Sequence, residues 1–114
     1  MNWKEIFEKY PKAVMKCYHK GIVSIIREKD TKEITDINLS IVNQSYNLRN
    51  LYDFFDENEI YCCVIPGFQL GTGKLVFQIF IMHYEDGYEL DSRKLAEDFM
   101  FLKAFEILEQ KLQL

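Results

Sequence analysis

Two dense apolar runs in the second half of this 114-residue chain, parted by a glycine-rich break and followed by a helix-patterned tail, constrain its fold more than any other feature. From Ile60 to Ile65 every side chain is apolar or a thiol, and from Leu75 to Tyr84 only Gln78 and His83 interrupt. Such runs read as strands covered on both faces. Gly67, Gly71 and Gly73 between them read as a hairpin loop with positions that require positive φ. A phosphate-loop reading of the same glycines with Lys74 fails on spacing. Five residues separate Gly67 from the Gly73-Lys74 pair where four are needed, and Leu75 stands where a magnesium-binding hydroxyl belongs.

The helical period organises both ends. Trp3, Ile6, Phe7, Tyr10, Val14, Cys17 and Tyr18 share one side of the N-terminal segment, with Lys9, Lys12, Lys16 and Lys20 opposite. Pro11 predicts either a kink near Tyr10 or a second helix with the proline in its first turn, and Gly21 suits a left-handed stop. Between Ile22 and Tyr46 the best reading is two strands, Ile22 to Arg27 and Ile37 to Ile41, joined through Lys29 to Lys32. A helix follows with Leu48, Leu51, Tyr52 and Phe55 on one face and Arg49, Asp53, Asp56 and Glu57 on the other. In the tail, Asp91 is the expected N-cap, with Leu90 and Leu95 as a hydrophobic staple. The helix runs to about Leu112. Leu95, Ala96 and Phe99 mark its early apolar face and Phe101, Phe105, Leu108 and Leu112 a later one, rotated by close to half a turn.

The expected fold is therefore α+β: one domain over residues 1–114, an antiparallel sheet of about four strands, and N-terminal, central and C-terminal helices in the order α-β-β-α-β-β-α. Nine Phe and seven Tyr supply core enough that no metal or disulfide staple is required. Three cysteines, two of them adjacent, make no disulfide framework, and no charged leader with an apolar core precedes Trp3. Both features point to a reducing, cytoplasmic setting, in which the sequons at Asn38 and Asn43 are silent. No apolar run reaches the ~20 residues needed to cross a bilayer.

Charge divides unevenly. Residues 1–32 hold eight Lys or Arg against four acids, and the rest hold six against fourteen, so +4 and −8 give the net −4. An acidic whole repels nucleic acid, while its first segment is attracted to acidic surfaces. Glu5 and Glu8 precede Lys9 and Lys12 by four, which leaves Lys16 and Lys20 as a weak basic surface.

Cys62, Cys63 and His83 invite a thiolate with a general base, or a metal site. If Pro66 to Gly73 is an open loop, which the proline favours, His83 falls opposite about Glu57; if the turn is tight around Thr72, it falls opposite Ile60 to Cys62. No further Cys or His completes a tetrahedral zinc set. Asp53, Asp56, Glu57 and Glu59 read as the solvated side of a helix. Glu85, Asp86, Glu89 and Asp91 lack calcium-loop spacing, with Asp86-Gly87 as a turn pair. No complete catalytic, cofactor or metal set is present.

The segments Trp3-Lys4-Glu5, Tyr10-Pro11-Lys12-Ala13, Leu51-Tyr52-Asp53-Phe54-Phe55-Asp56-Glu57 and Lys103-Ala104-Phe105-Glu106-Ile107-Leu108-Glu109 resemble those of small proteins of gut bacteria and their phages. The resemblance covers about half the chain and implies no activity; it would make the protein a phage- or mobile-element-encoded accessory factor. The element order is also similar to roadblock-type dimerisation domains and acidic secretion chaperones, a likeness of fold alone.

The function these readings favour is a non-enzymatic protein–protein interaction module, homodimeric or docked on another protein, with no cofactor and no membrane partner. A helix with two apolar faces either wedges between layers of its own domain or lends one face to a partner; on the second branch Phe101, Phe105, Leu108, Leu112 and, less strongly, Trp3 are the expected contact residues, and on the first all five are core. The alternative is a small-ligand or catalytic domain with a pocket beside the 66–73 loop, Cys62, Cys63 and His83.

Overall fold

The computed structural model describes residues 1–42, 45–46 and 48–113; the sequon at Asn43 lies outside them. The protein is an α+β fold with antiparallel strand pairing. Its contacts fall into two compact units, residues 1–54 with 105–114, and residues 55–104.

The discontinuous unit begins with α1 (Trp3–Lys9) and α2 (Pro11–His19). Asn2 caps α1 by accepting from the Glu5 N–H at 3.2 Å. Tyr10, at φ −130° and ψ 60°, ends α1 and starts α2, so Pro11 takes the first helical position, where its missing N–H costs nothing. Of the two outcomes that Pro11 allowed, the second helix is the one adopted. The break also puts Glu8 and Lys12 on different helices, so their expected spacing as a pair on one helix does not apply. Gly21, at φ 78°, closes α2: its N–H bonds the Tyr18 carbonyl and that of Ile22 the Cys17 carbonyl, a Schellman closure.

β1 (Val23–Arg27) and β2 (Ile34–Leu39) form one ladder, and β3 (Ile41–Val42) with β4 (Ser45–Tyr46) a second of two residues each. Most of α3 (Arg49–Glu57) and the last turns of α4 (Arg93–Leu112) complete the unit. Its core is Trp3, Ile6, Ala13, Val14, Cys17, Val23, Ile37, Leu51, Phe54, Phe105 and Leu108. Trp3 meets Phe105 edge-to-face at 5.4 Å between centroids.

The N-terminus of α2 has no cap from its own side chain at Tyr10. Glu109 of α4 supplies one instead. Only 4% exposed, it accepts from the Lys12 N–H through Oε1 at 3.2 Å and from the Ala13 N–H through Oε2 at 2.7 Å. A carboxylate against a helix N-terminus meets both orphan donors and dipole.

The second unit is built on β5 (Cys62–Phe68), β6 (Leu75–Ile81) and β7 (Glu85–Leu90), in that spatial order, with α4 through Ala104. Phe55, Ile60, Val76, Ile79, Ile81, Ala96, Met100, Phe101 and Ala104 are its buried apolar residues. Strands are thus shared among ladders of two, two and three, where one sheet of about four was expected. β7 explains part of the difference. The tight turn lies at Met82 to Tyr84, closed by the Tyr84 N–H on the Ile81 carbonyl with His83 at φ 70°, and not at Asp86-Gly87. Gly87, at φ 77°, is the extra residue of a bulge, since Ile79 pairs Tyr88 and Phe80 pairs Asp86.

At the start of α4 the cap is Ser92 in place of the expected Asp91. Its hydroxyl accepts from the Leu95 N–H at 3.2 Å, while Asp91 pairs with Lys74 at 2.8 Å and Leu95 stays exposed. The helix buries one drifting stripe, Ala96, Met100, Ala104 and Leu108 beside Phe101, Phe105 and Glu109. Met100 and Ala104 join the two apolar faces that the sequence pattern separates.

Candidate functional site

Pro66 does not open the hairpin. β5 pairs with β6 without a slip from Cys62↔Ile81 to Phe68↔Leu75, leaving a tip closed by the Gln69 N–H on the Lys74 carbonyl at 2.8 Å. The reason is positional. Met82 donates to the Tyr61 carbonyl and Gln69 to that of Lys74, so odd-numbered β5 residues turn their backbone groups toward β6 and even-numbered ones away. Pro66 occupies an even position on the edge strand and removes no ladder hydrogen bond. Gly71 and Gly73 stand in the tip at φ 88° and 67°, as a hairpin loop demands.

The register decides which side chains share a face. One face lies under α4, where Tyr88 packs on Phe99 at 5.0 Å and the Arg93 guanidinium sits 5.3 Å from the centre of the Phe77 ring. The other carries Tyr61, Cys63 and Ile65 from β5 and its approach, with Phe80 and Met82 alongside. Along β5 it is open, with Tyr61 47%, Ile65 48% and Met82 56% exposed and Cys63 exposed too, while on β6 Phe80 is half-buried and Val76 buried on the same face. Full apolar composition in this run does not therefore mean cover on both faces. Tyr61, Cys62, Cys63, Phe80 and Met82 line a shallow hollow of about 290 Å³.

Toward the tip the same face turns polar. Glu89 accepts from Gln69 Nε2 through one carboxylate oxygen (3.0 Å) and from Gln78 Nε2 through the other (3.3 Å); the Thr72 hydroxyl donates to Gln69 Oε1 at 2.8 Å. Beyond it Phe68 and Leu70 project from the hairpin at 75% and 97% exposure.

Cys62 and Cys63 meet at the hollow; His83 does not join them. It stands exposed in the β6–β7 turn and does not line the hollow. The 66–73 loop, where a pocket was expected, lies at the other end of the hairpin, roughly 20 Å along the strands at ~3.3 Å per residue. Burial pushes the Cys62 thiol up to about 12, with the Asp56 charge and then Cys63 adding to it, and burial raises Cys17 to about 12 as well. Neither is a thiolate near neutral pH, and it is the thiolate that attacks. Cys62 directs its S–H to the Ile60 carbonyl at 3.9 Å. Among the described residues no group of three or more His, Cys, Asp or Glu could hold a metal ion.

The expected partner surface on the final helix is not at the surface. Phe101, Phe105, Leu108 and Trp3 are buried within a single copy, Phe101 against Phe55 at 6.0 Å and Trp3 against Phe105; Leu112 is half-buried. Four of the five expected contact residues thus lie in the core of a single copy, as the alternative reading of a helix with two apolar sectors has it. Of the weak basic pair, Lys16 is half-buried on α2 and Lys20 is exposed just past it. The residues that now form the candidate surface, Tyr61, Ile65 and Met82, carried one signal in sequence: strand periodicity placing them on a single face.

Comparison with known proteins returns no matching family model, no matching curated protein and no matching solved structure. Among the described residues no helix is long and apolar enough to cross a membrane.

Proposed function

We propose that this protein is a non-enzymatic, cytoplasmic interaction module that self-associates through the exposed apolar residues of β5, an edge strand of its three-stranded sheet. The observation that carries the reading is the cluster of Tyr61, Ile65 and Met82, each about half exposed around a hollow lined almost entirely by apolar groups and thiols. Apolar side chains gathered on one face lose free energy in water in proportion to their area, and a partner recovers it. A raised Cys62 and a His83 set apart from the thiols speak against thiol chemistry at this place. A hollow of about 290 Å³ also sits at the lower bound of pockets that enclose a small ligand.

Light scattering coupled to size exclusion tests the reading. At tens of micromolar the wild-type chain is expected to run with the mass of two copies, and Ile65→Lys with the mass of one at unchanged circular dichroism. A one-copy mass for the wild type at every concentration overturns it.

A further inference from the structure

The open face ends at a strand edge that is complementary to itself, and this sets how two copies meet. We infer that β5 of one molecule pairs antiparallel with β5 of a second about a two-fold axis at Cys63, joining the two three-stranded sheets into one of six. The inference rests on the self-association reading above and names its geometry.

The sheet has two edges, and they differ. β7 is broken by the bulge at Gly87 and carries Glu85, Asp86 and Glu89 within six residues, two devices that keep an edge from pairing. β5 is free of bulges and holds no charged residue from Cys62 to Phe68, so a second copy approaches it without like-charge repulsion. Its outward backbone groups belong to Cys62, Val64, Pro66 and Phe68, because the odd positions are bonded to β6.

Pro66 selects the register. Its ring projects where an N–H would donate, so any ladder that places Pro66 opposite Cys62 or Val64 of the second copy meets the ring and loses a donor. The register centred on Cys63 sets Cys62 against Val64 and Val64 against Cys62. Both are hydrogen-bonded pairs with donors and acceptors matched, and both prolines fall beyond the ladder. Tyr61 then lies beside Ile65 of the second copy, so each half-exposed side chain meets an apolar neighbour. Cys63 faces Cys63 in a non-hydrogen-bonded pair, where Cα atoms stand ~4.5 Å apart, inside the ~4.4–6.8 Å that a disulfide spans.

Area sets the strength. A patch of a few half-exposed side chains, against the ~150–250 Å² that a buried aromatic removes from water, gives a few hundred Å² per copy. That is short of the ~800 Å² per partner of a stable interface. The paired edge makes up part of the deficit, and the dimer is expected to dissociate in the micromolar range.

The test uses the full chain. Diamide treatment at 50–100 µM protein, roughly, takes two protons and two electrons from a pair of thiols and forms one S–S bond; peptide mass mapping then identifies the bond. A Cys63–Cys63 cross-link between copies is expected, lost in Cys63→Ala while that variant keeps the two-copy mass. Val64→Pro removes an outward N–H as Pro66 already does, so the single copy keeps its β6 ladder, and the two-copy mass is expected to disappear. A two-copy mass that survives Val64→Pro, with no Cys63–Cys63 bond, overturns the β5 geometry and leaves self-association standing. A one-copy mass for the wild type overturns both.

Discussion

Glu109 offers the sharpest test of how the discontinuous unit is held. Its carboxylate is the cap of a helix whose first turn lies 96 and 97 positions earlier in the chain, and the Ala13 N–H it receives at 2.7 Å is buried. Glu109→Ala strands that donor away from water, which costs about 1–3 kcal/mol, and removes the charge from the helix N-terminus, worth about 0.3–1 kcal/mol. The expected loss is about 1–4 kcal/mol, a large share of the ~5–15 kcal/mol that holds a domain together. Glu109→Gln keeps one acceptor oxygen but turns an N–H₂ toward the other donor, so it should lose about half as much. Urea denaturation followed by the emission of Trp3, the one tryptophan and a core member of the same unit, reads the effect directly. The midpoint should fall in the order wild type, Gln, Ala, with the slope unchanged. An Ala variant within about 0.5 kcal/mol of wild type refutes the reasoning, since donors re-satisfied by water cost that little.

Two further outcomes follow from the backbone and the thiols. Glu59 stands at φ 61° where α3 closes, with the Ile60 N–H on the Phe55 carbonyl and its own on Asp56, the same closure that Gly21 makes for α2. A side chain there carries a steric penalty of about 1–2 kcal/mol, so Glu59→Gly should raise stability by about 1 kcal/mol in the same titration; a loss would count against it. Burial holds Cys17 as a thiol up to about 12 against an ordinary 9.0. Its folded pKa is the higher one, so the folded state binds the proton more tightly and stability falls as pH rises between about 9 and 12. The slope approaches about 1.4 kcal/mol per pH unit. Cys17→Ala should lower the alkaline slope by that share, the dependence due to Cys62 remaining, and an unchanged slope would refute the assignment.

Local signals were legible where the cause is local. The helical period of Trp3 to Tyr18, the stop at Gly21 and the existence of two strands around a glycine-rich turn can be read directly, because each depends on neighbours a few residues away. Pro11, by contrast, leaves a kink and a second helix both open, and Pro66 points to an open loop that the register closes. The reading of β5 as doubly covered fails because an apolar run records what a strand is made of, not what lies over it; one face is open. Asp91 and Ser92 are equally good caps in sequence, and the Lys74 ion pair draws Asp91 away. Phe54, Met100 and Ala104 belong to the core but lie between the faces the period picks out. Glu109 could not be found at all: its partners are backbone groups, which leave no mark in the composition of the segment they come from.

The recruitment of residues 105–114 into the unit formed by residues 1–54 bears on the order of events at the ribosome. A chain delivered vectorially emerges with its first half lacking the Phe105 ring and the Glu109 carboxylate, so that half stays tethered and incomplete until the last turns follow. Nascent chains arrested before position 105 should keep Trp3 accessible to a soluble quencher, and release of the last turns should shut it away.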